Sequence, residues 1–301
     1  MEMNKLSLSE NIKNLADSIG IDTIGFARAD EFKDYALDHP QRKDPKLSLA
    51  SAKSIIVVGI YIGGITLPEW ENEQYGRTSR LYLSGFFLDI VKPIEPIAAL
   101  LKNQGYRAKI CDGSAKEGSI LPLKLAAIRA GLGWQGKHSL LISKKYGTFL
   151  ALGGIVTDAD LEYNTTIEPN RCHKCNECQK ACPVDALAMP YVLSVEQCMS
   201  NLLAGEKLPE RVMKAMDNRI GDCEICQQAC PWNRRHLKKP LSTKMTLSFR
   251  KRINDWKDVF FLPHLSRLSE NEYKSLSSQL NTDIPYHIFQ RNVRIAMKGY
   301  K

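Results

Sequence analysis

The sequence predicts an α+β protein with three parts: an N-terminal α/β sandwich-like domain, a small cysteine-rich domain, and a basic C-terminal segment expected to be helical. Three observations carry this prediction. Over residues 1 to 160 helical periodicity alternates with short β-branched runs, the pattern of a sheet covered by helices. Over residues 161 to 235 stand two cysteine runs with a single further cysteine between them. Over residues 236 to 301 basic residues are frequent and no cysteine occurs.

Taken in order, residues 5 to 19 place Leu8, Ile12, Leu15 and Ile19 at helical spacing, and Gly20 supplies the stop. Ile21 to Ala27 is expected to be a strand. A polar connection runs from Asp38 to about Leu47, through Arg42. Ile55 to Ile60 is a nearly continuous β-branched run, as expected of a strand covered on both faces. After the turn-rich stretch around Gly63, Gly64 and Pro68, residues 86 to 104 regain helical periodicity despite Pro93 and Pro96, and Gly105 closes them. Tyr106 to Cys111 and Phe149 to Val156 are two further strands, with a helix over Leu121 to Ala130 between them.

That helix runs into Gly131-Leu132-Gly133-Trp134-Gln135-Gly136-Lys137. The run is not a phosphate loop: it lacks Ser or Thr after the lysine, and it follows a helix rather than a strand. Its glycines predict a tight turn or a close backbone approach to something large.

The cysteines are the strongest chemical signal. Cys172, Cys175, Cys178 and Cys182 form C-x2-C-x2-C-x3-C-P ending at Pro183, and Cys223, Cys226 and Cys230 form C-x2-C-x3-C-P ending at Pro231, with Cys198 between the runs. Thiolates two residues apart on a tight loop can turn inward on one iron-sulfur cube, whereas the cysteine after a three-residue step points elsewhere. In two-cluster ferredoxin-like folds that last cysteine crosses to the other cluster. The expectation is two 4Fe-4S clusters, one on Cys172, Cys175, Cys178 and Cys230, the other on Cys182, Cys198, Cys223 and Cys226. Each proline is expected in a first helical turn, where its missing N–H costs nothing. Zinc ribbons and disulfide frameworks are the competing readings, but neither favours a triple C-x2-C-x2-C ending in C-P in a chain of this size. Cys111 is left over, and a buried apolar role suits it.

With 301 residues, 44% hydrophobic and 25% charged, the composition is that of an ordinary globular protein. There is no apolar run of about 18 residues, and the N-terminus shows neither a secretory apolar region nor a twin-arginine signal. Cytoplasmic residence with reduced thiols is expected, with no membrane partner and a monomeric state. The net charge of +9 is concentrated: Arg234, Arg235, Lys238, Lys239, Lys244, Arg250, Lys251 and Arg252 lie in residues 225 to 254, which hold no Asp or Glu. Such a block can meet nucleic-acid phosphate, offset the charge of thiolate-bound clusters, or simply be solvated.

Several stretches together resemble the cobalamin-dependent epoxyqueuosine reductases, with reductive dehalogenases as more distant relatives. They are IGIDTIGFARAD (19 to 30), Arg42 with SAKSIIVVGI (51 to 60), AGLGWQGKHSLLISKKYGTFLALGGIVTD (130 to 158), the cysteine runs, Cys198-Met199-Ser200, NRIGDCEICQQACPWN (218 to 233) and FQRNVRIAM (289 to 297). The resemblance implies a corrinoid between the sheet domain and the cluster domain. Electrons would pass from a ferredoxin or flavodoxin through an outer cluster to an inner one, that of Cys198, and on to a cobalt that does the redox chemistry. The product would be the queuosine base of tRNA, formed by removal of an epoxide oxygen. Arg42, Ser79, Lys137, His138, Ser139, Leu141 and Ser200 are similar to positions near the corrinoid. The family's proton donor is an Asp in a Val-Asp-Ser/Thr stretch. Here Asp112 has the strand-then-turn setting but sits about five residues early, and Glu117 falls in register; either carboxyl could deliver a proton if burial raised its pKa.

Family members that act on tRNA usually carry a helical-repeat extension after the segment matching FQRNVRIAM, whereas this sequence ends at Lys301. Two other functions therefore compete with a tRNA reductase. One keeps both cofactors but acts on a small organic substrate or reactivates another corrinoid protein; the other is an iron-sulfur electron carrier without catalysis.

Overall fold

The computed structural model describes residues 7–33, 40–67, 69, 71–86, 90–111, 121–163, 166–253, 258–280 and 282–299. Helix α1 (Leu8–Ile19) begins at a capping box: Ser7 accepts the Glu10 N–H at 3.2 Å, and Glu10 accepts the Ser7 N–H at 2.8 Å. It stops at Gly20, whose φ of 90° a side chain would resist. Then follow β1 (Thr23–Arg28), α2 (Pro40–Lys43), β2 (Ser54–Tyr61), α3 (Arg80–Ser84), α4 (Val91–Asn103), β3 (Ala108–Cys111), α5 (Leu123–Arg129), β4 (Trp134–Gln135), β5 (Leu141–Ile142) and β6 (Leu150–Thr157). The cysteine-rich region holds α6 (Glu177–Ala181), α7 (Met199–Ala204), α8 (Glu210–Ala215) and α9 (Ile225–Ala229). The chain continues through α10 (Arg234–Lys238), α11 (Lys244–Ile253), α12 (Leu262–Leu265), α13 (Glu270–Leu280) and α14 (Tyr286–Lys298).

The main sheet has the order β1-β2-β6-β3, and every neighbouring pair is antiparallel. All of β2 is buried, as its continuous apolar run requires. The two-residue alternation of a strand divides it between two cores. Ile56, Val58 and Ile60 face a core shared with Ile12 of α1 and Ile94 of α4, while Ile55 and Val57 face Ala126 and Ala127 of α5. Helices thus cover both faces. The first core also takes Phe249, Leu265, Leu276, Ile288 and Val293, so the C-terminal helices close the same interior as α1 and α4.

Helix α4 tolerates Pro93 because it lies in the first turn. The glycine run after α5 is the lead-in to a hairpin: Trp134 pairs with Ile142 and Gln135 with Leu141, leaving Gly136 to Leu140 at the tip. A Cβ on Gly133 would strike the backbone of Ile142, so the close approach is between two strands of this chain.

In the cysteine-rich region α6 and α9 repeat one design. Each holds the last cysteine of a C-x2-C step, Cys178 or Cys226, and each ends at the cysteine of the three-residue step, Cys182 or Cys230, in extended conformation. The expected proline position is met at Pro231, which opens a 3-10 turn, but not at Pro183, which enters a non-helical turn. The difference follows from Asp185, whose φ of 56° bends the chain before a helix can start. A separate small core of Val184, Met199, Leu203, Val212 and Met216 supports this region.

Candidate functional site

The eight cysteines of the two runs and Cys198 gather in two groups. The thiols that push on Cys178 and Cys230 are those of Cys172 and Cys175, and for Cys230 also Cys178. Those that push on Cys226 are Cys223, Cys198, Cys178 and Cys182, and Cys198 feels Cys182. The first group is thus Cys172, Cys175, Cys178 and Cys230, the second Cys182, Cys198, Cys223 and Cys226, with Cys178 and Cys226 nearest the boundary.

Burial first, with neighbouring thiols adding to it, raises the pKa of Cys178, Cys198, Cys223, Cys226 and Cys230. Cys230 is pushed up to about 11, Cys223 to about 12, and Cys226 well above the ordinary thiol range. Four thiolates cannot gather in so small a volume without a compensating cation. Iron supplies that charge, and an all-sulfur donor set suits it. Cys111 lies apart, fully buried in the core under α5.

Lys124, in the first turn of α5, lies near the second group and keeps solvent access. Burial lowers its pKa; the charges acting on it are Cys226 and Cys198, which raise it, and Arg42, which lowers it. Nothing in the sequence singled Lys124 out, because a lysine on an amphipathic helix is ordinarily a solvated one.

The hairpin tip comes close to Lys124. His138 is 2% exposed, and its pKa falls to about 4, mainly through burial and secondly through Lys124. Its Nδ1 accepts the Leu140 N–H at 3.2 Å, which puts the proton of the neutral ring on Nε2. That Nε2–H is buried with no partner among the described residues. An orphaned donor near Lys124 fits a large polar guest such as a corrinoid. Ser139 sits at φ 64°, a strained turn position, and Leu141 is buried in β5. Lys137 extends the other way, its Nζ donating to the His173 carbonyl at 2.8 Å.

Ser79 and Ser200 meet on one carboxylate. Asp222 accepts both hydroxyls and also the Cys223 N–H at 2.7 Å, while burial raises its pKa against these bonds. The two serines therefore brace the second cysteine group from the sheet domain and from α7. Arg80 and Glu224 form a second brace, a buried ion pair with both side chains 4% exposed. Asp112 and Glu117 lie outside the described residues.

The basic block is divided. Arg235 donates to the carbonyls of Lys144 and Lys145, and Lys244 donates to those of Asp17 and Ser18 at the end of α1. Those two are used as internal fastenings. Arg234, Lys238, Lys239, Arg250 and Lys251 are exposed on α10, α11 and the connection between them.

Residues 171–233 match the 4Fe-4S double cluster binding domain family. Over 222 residues the chain is 30% identical to the epoxyqueuosine reductase of Gloeobacter violaceus, a match covering 66% of this chain and 67% of that protein. The chain belongs to the epoxyqueuosine reductase family. Enzymes of this family are oxidoreductases. The epoxyqueuosine reductase of Lactococcus garvieae is 31% identical over 221 residues, a match spanning 64% of this chain and 60% of that relative's length. The family fold extends across nearly the whole molecule: a solved epoxyqueuosine reductase with a tRNA-Tyr epoxyqueuosine-modified stem loop superposes with a TM-score of 0.80 at 23% identity, covering 97% of this chain and 81% of that one.

Proposed function

We propose that this chain reduces epoxyqueuosine to queuosine in tRNA, using two 4Fe-4S clusters and a corrinoid held between the sheet and the cysteine-rich region. The observation that carries the reading is the coupling of Lys124 to Cys198 and Cys226 of the second group, to Arg42 and to His138, whose buried Nε2–H has no partner among the described residues. The kinship to epoxyqueuosine reductases and the exposed basic residues of α10 and α11 support it.

Removing an epoxide oxygen as water consumes two electrons and two protons. A corrinoid supplies the electron-rich metal for this step. The chain contributes the rest. His173, Lys174 and Asn176 are exposed around the first cysteine group, so electrons from a ferredoxin or flavodoxin would enter there. The second group receives them beside the corrinoid. His138 offers its Nε2–H to the guest, Arg42 and Lys124 place positive charge where electron density arrives, and Ser139 and Leu141 shape the hairpin wall. Asp112 or Glu117 would deliver a proton. The basic face would hold the tRNA backbone, giving an affinity that falls as salt rises. These assignments suit a monomeric cytoplasmic enzyme.

The test is an anaerobic preparation assayed for iron, sulfide and cobalt, with spectra recorded before and after adding cobalamin. Conversion of epoxyqueuosine-containing tRNA is then followed with a low-potential reductant. The reading expects two clusters, stoichiometric corrinoid binding and queuosine formation. Clusters without corrinoid binding would leave an electron carrier, and corrinoid binding without tRNA turnover would point to a small substrate or a second corrinoid protein.

A further inference from the structure

The indole of Trp134 is 2% exposed, and its Nε1–H is buried with no acceptor among the described residues. A buried donor left unmatched costs roughly 1–3 kcal/mol, so a tryptophan in such a position calls for an acceptor beyond the described residues. The surroundings of the ring say which. Trp134 packs with Cys230, Cys172 and Trp232 in one small cluster, and Trp232 meets it edge-on with ring centroids 4.7 Å apart. Two of its neighbours are thus thiols of the first cysteine group. The other neighbours, Ile142 across the hairpin and Trp232, offer no side-chain acceptor. Among these neighbours the sulfurs of a cluster bound by Cys172 and Cys230 would be the acceptors.

Resting on the cysteine assignment above, we propose that Trp134 donates an N–H···S hydrogen bond to the 4Fe-4S cluster of Cys172, Cys175, Cys178 and Cys230 and so sets its reduction potential. Hydrogen bonds to cluster and thiolate sulfur stabilise the more negative, reduced state, and solvent exclusion strengthens them. The bond makes the entry cluster easier to reduce by its donor. It also ties that cluster to the hairpin whose tip carries His138. Trp134 acts through the cluster and is a positioning residue; it meets no substrate.

The experiment is an EPR-monitored potentiometric titration of the anaerobically reconstituted full chain, comparing wild type with Trp134→Phe and Trp232→Phe. The signal of the first group is identified as the one lost in Cys175→Ser. Trp134→Phe keeps an aromatic ring but removes the donor. At the potential where the wild-type entry cluster is half reduced, the oxidised-to-reduced ratio is expected to rise about tenfold, a shift of 59 mV to more negative values for a one-electron couple. The second cluster should not move. Trp232→Phe disturbs the same aromatic pair without removing the orphaned donor, so it should leave both potentials in place. Equal shifts of the first cluster in both variants, or none in Trp134→Phe, would overturn the proposal. A change confined to corrinoid affinity would also overturn it, by showing that the indole serves the corrinoid. Iron and sulfide counts separate this from the underlying reading: a wild type that takes up fewer than two clusters sinks the cysteine assignment itself.

Discussion

The buried pair of Arg80 and Glu224 is the test of how the two halves of the site are held together. Arg80 opens α3, and Glu224 lies between two cysteines of the second group. The guanidinium pairs with the Glu224 carboxylate, its Nε donates to the Gly63 carbonyl at 3.1 Å, and its plane lies 4.6 Å from the Phe149 ring centroid. Replacing Arg80 by Met removes all three interactions but leaves the carboxylate two donors, the residue-80 backbone N–H at 3.2 Å and Gln228 Nε2 at 2.9 Å. Breaking a buried pair from one side costs about 3–5 kcal/mol, and the surviving donors place Arg80→Met near the lower figure. With an unfolding entropy of about 2.1 cal/mol/K per residue over 301 residues, about 3 kcal/mol lowers the melting temperature by about 5 °C. The assay is the thermal midpoint of the cluster-loaded chain at a fixed scan rate. The double variant Arg80→Met with Glu224→Leu should melt above Arg80→Met alone, because no buried charge is left over. A single variant within about 1 °C of wild type, or a double variant less stable than the sum of its parts, would refute this account of the joint.

Three further outcomes follow from the geometry. His236 is fully buried, donates from Nδ1 to Tyr61 Oη at 2.9 Å and accepts from Arg235 Nε at 3.2 Å; burial, then Arg235, holds its pKa at about 4 against the usual 6.5. A folded-state pKa below the unfolded value means stability is intact above about pH 6.5 and is lost as pH falls toward 4, so His236→Asn should flatten the acid side of a stability-against-pH curve by up to one proton, His138 retaining the remainder. Gly147 has φ 61°, and a Cβ there would collide with Asn233, which binds the Thr148 N–H at 2.8 Å and the Gln227 carbonyl at 2.7 Å; Gly147→Ala should lower the yield of folded, cluster-loaded protein, as judged by iron per chain. Replacing Arg250 and Lys251 by Gln should weaken tRNA binding across sequences and reduce the slope of log affinity against log salt by about one for each phosphate no longer neutralised, whereas an unchanged slope would remove α11 from the tRNA face.

Strands and cysteines were legible because their physics is local. The continuous run Ile55 to Ile60 could be satisfied only by a strand with two covered faces, and the cysteine spacing marks a double-cluster region that matches the 4Fe-4S double cluster binding domain family. The tight turn expected after α5 proved to be a hairpin, since pairing two residues with two more leaves no sequence period to read. Lys124 was invisible for a different reason: its coupling to Cys198, Cys226 and Arg42 joins elements far apart in the chain. Ser79 and Ser200 were noticed through resemblance to known enzymes, but their shared carboxylate Asp222 was not, because a buried acid beside a cysteine has no signature until the folded chain brings the two serines to it. The basic block was visible as charge, while its division into fastenings and exposed residues required knowing that Arg235 and Lys244 reach carbonyls of remote turns.

The hairpin of β4 and β5 explains why the sheet domain and the cysteine-rich region work as one object. Trp134 packs on the first cysteine group, Gln135 donates to the Tyr191 carbonyl at 3.2 Å and accepts from Asn170 at 2.9 Å, and Lys137 binds the His173 carbonyl. One residue further on, His138 turns inward and is 2% exposed. This run therefore touches the first cysteine group at one end and carries the buried His138 at the other, and the glycines at 133 and 136 let it approach that closely: a Cβ at 133 would meet Ile142, and one at 136 would meet the His138 ring. A two-stranded hairpin fastened by backbone carbonyls on both sides holds these two ends at a fixed separation with less conformational freedom to lose than a loop of the same length.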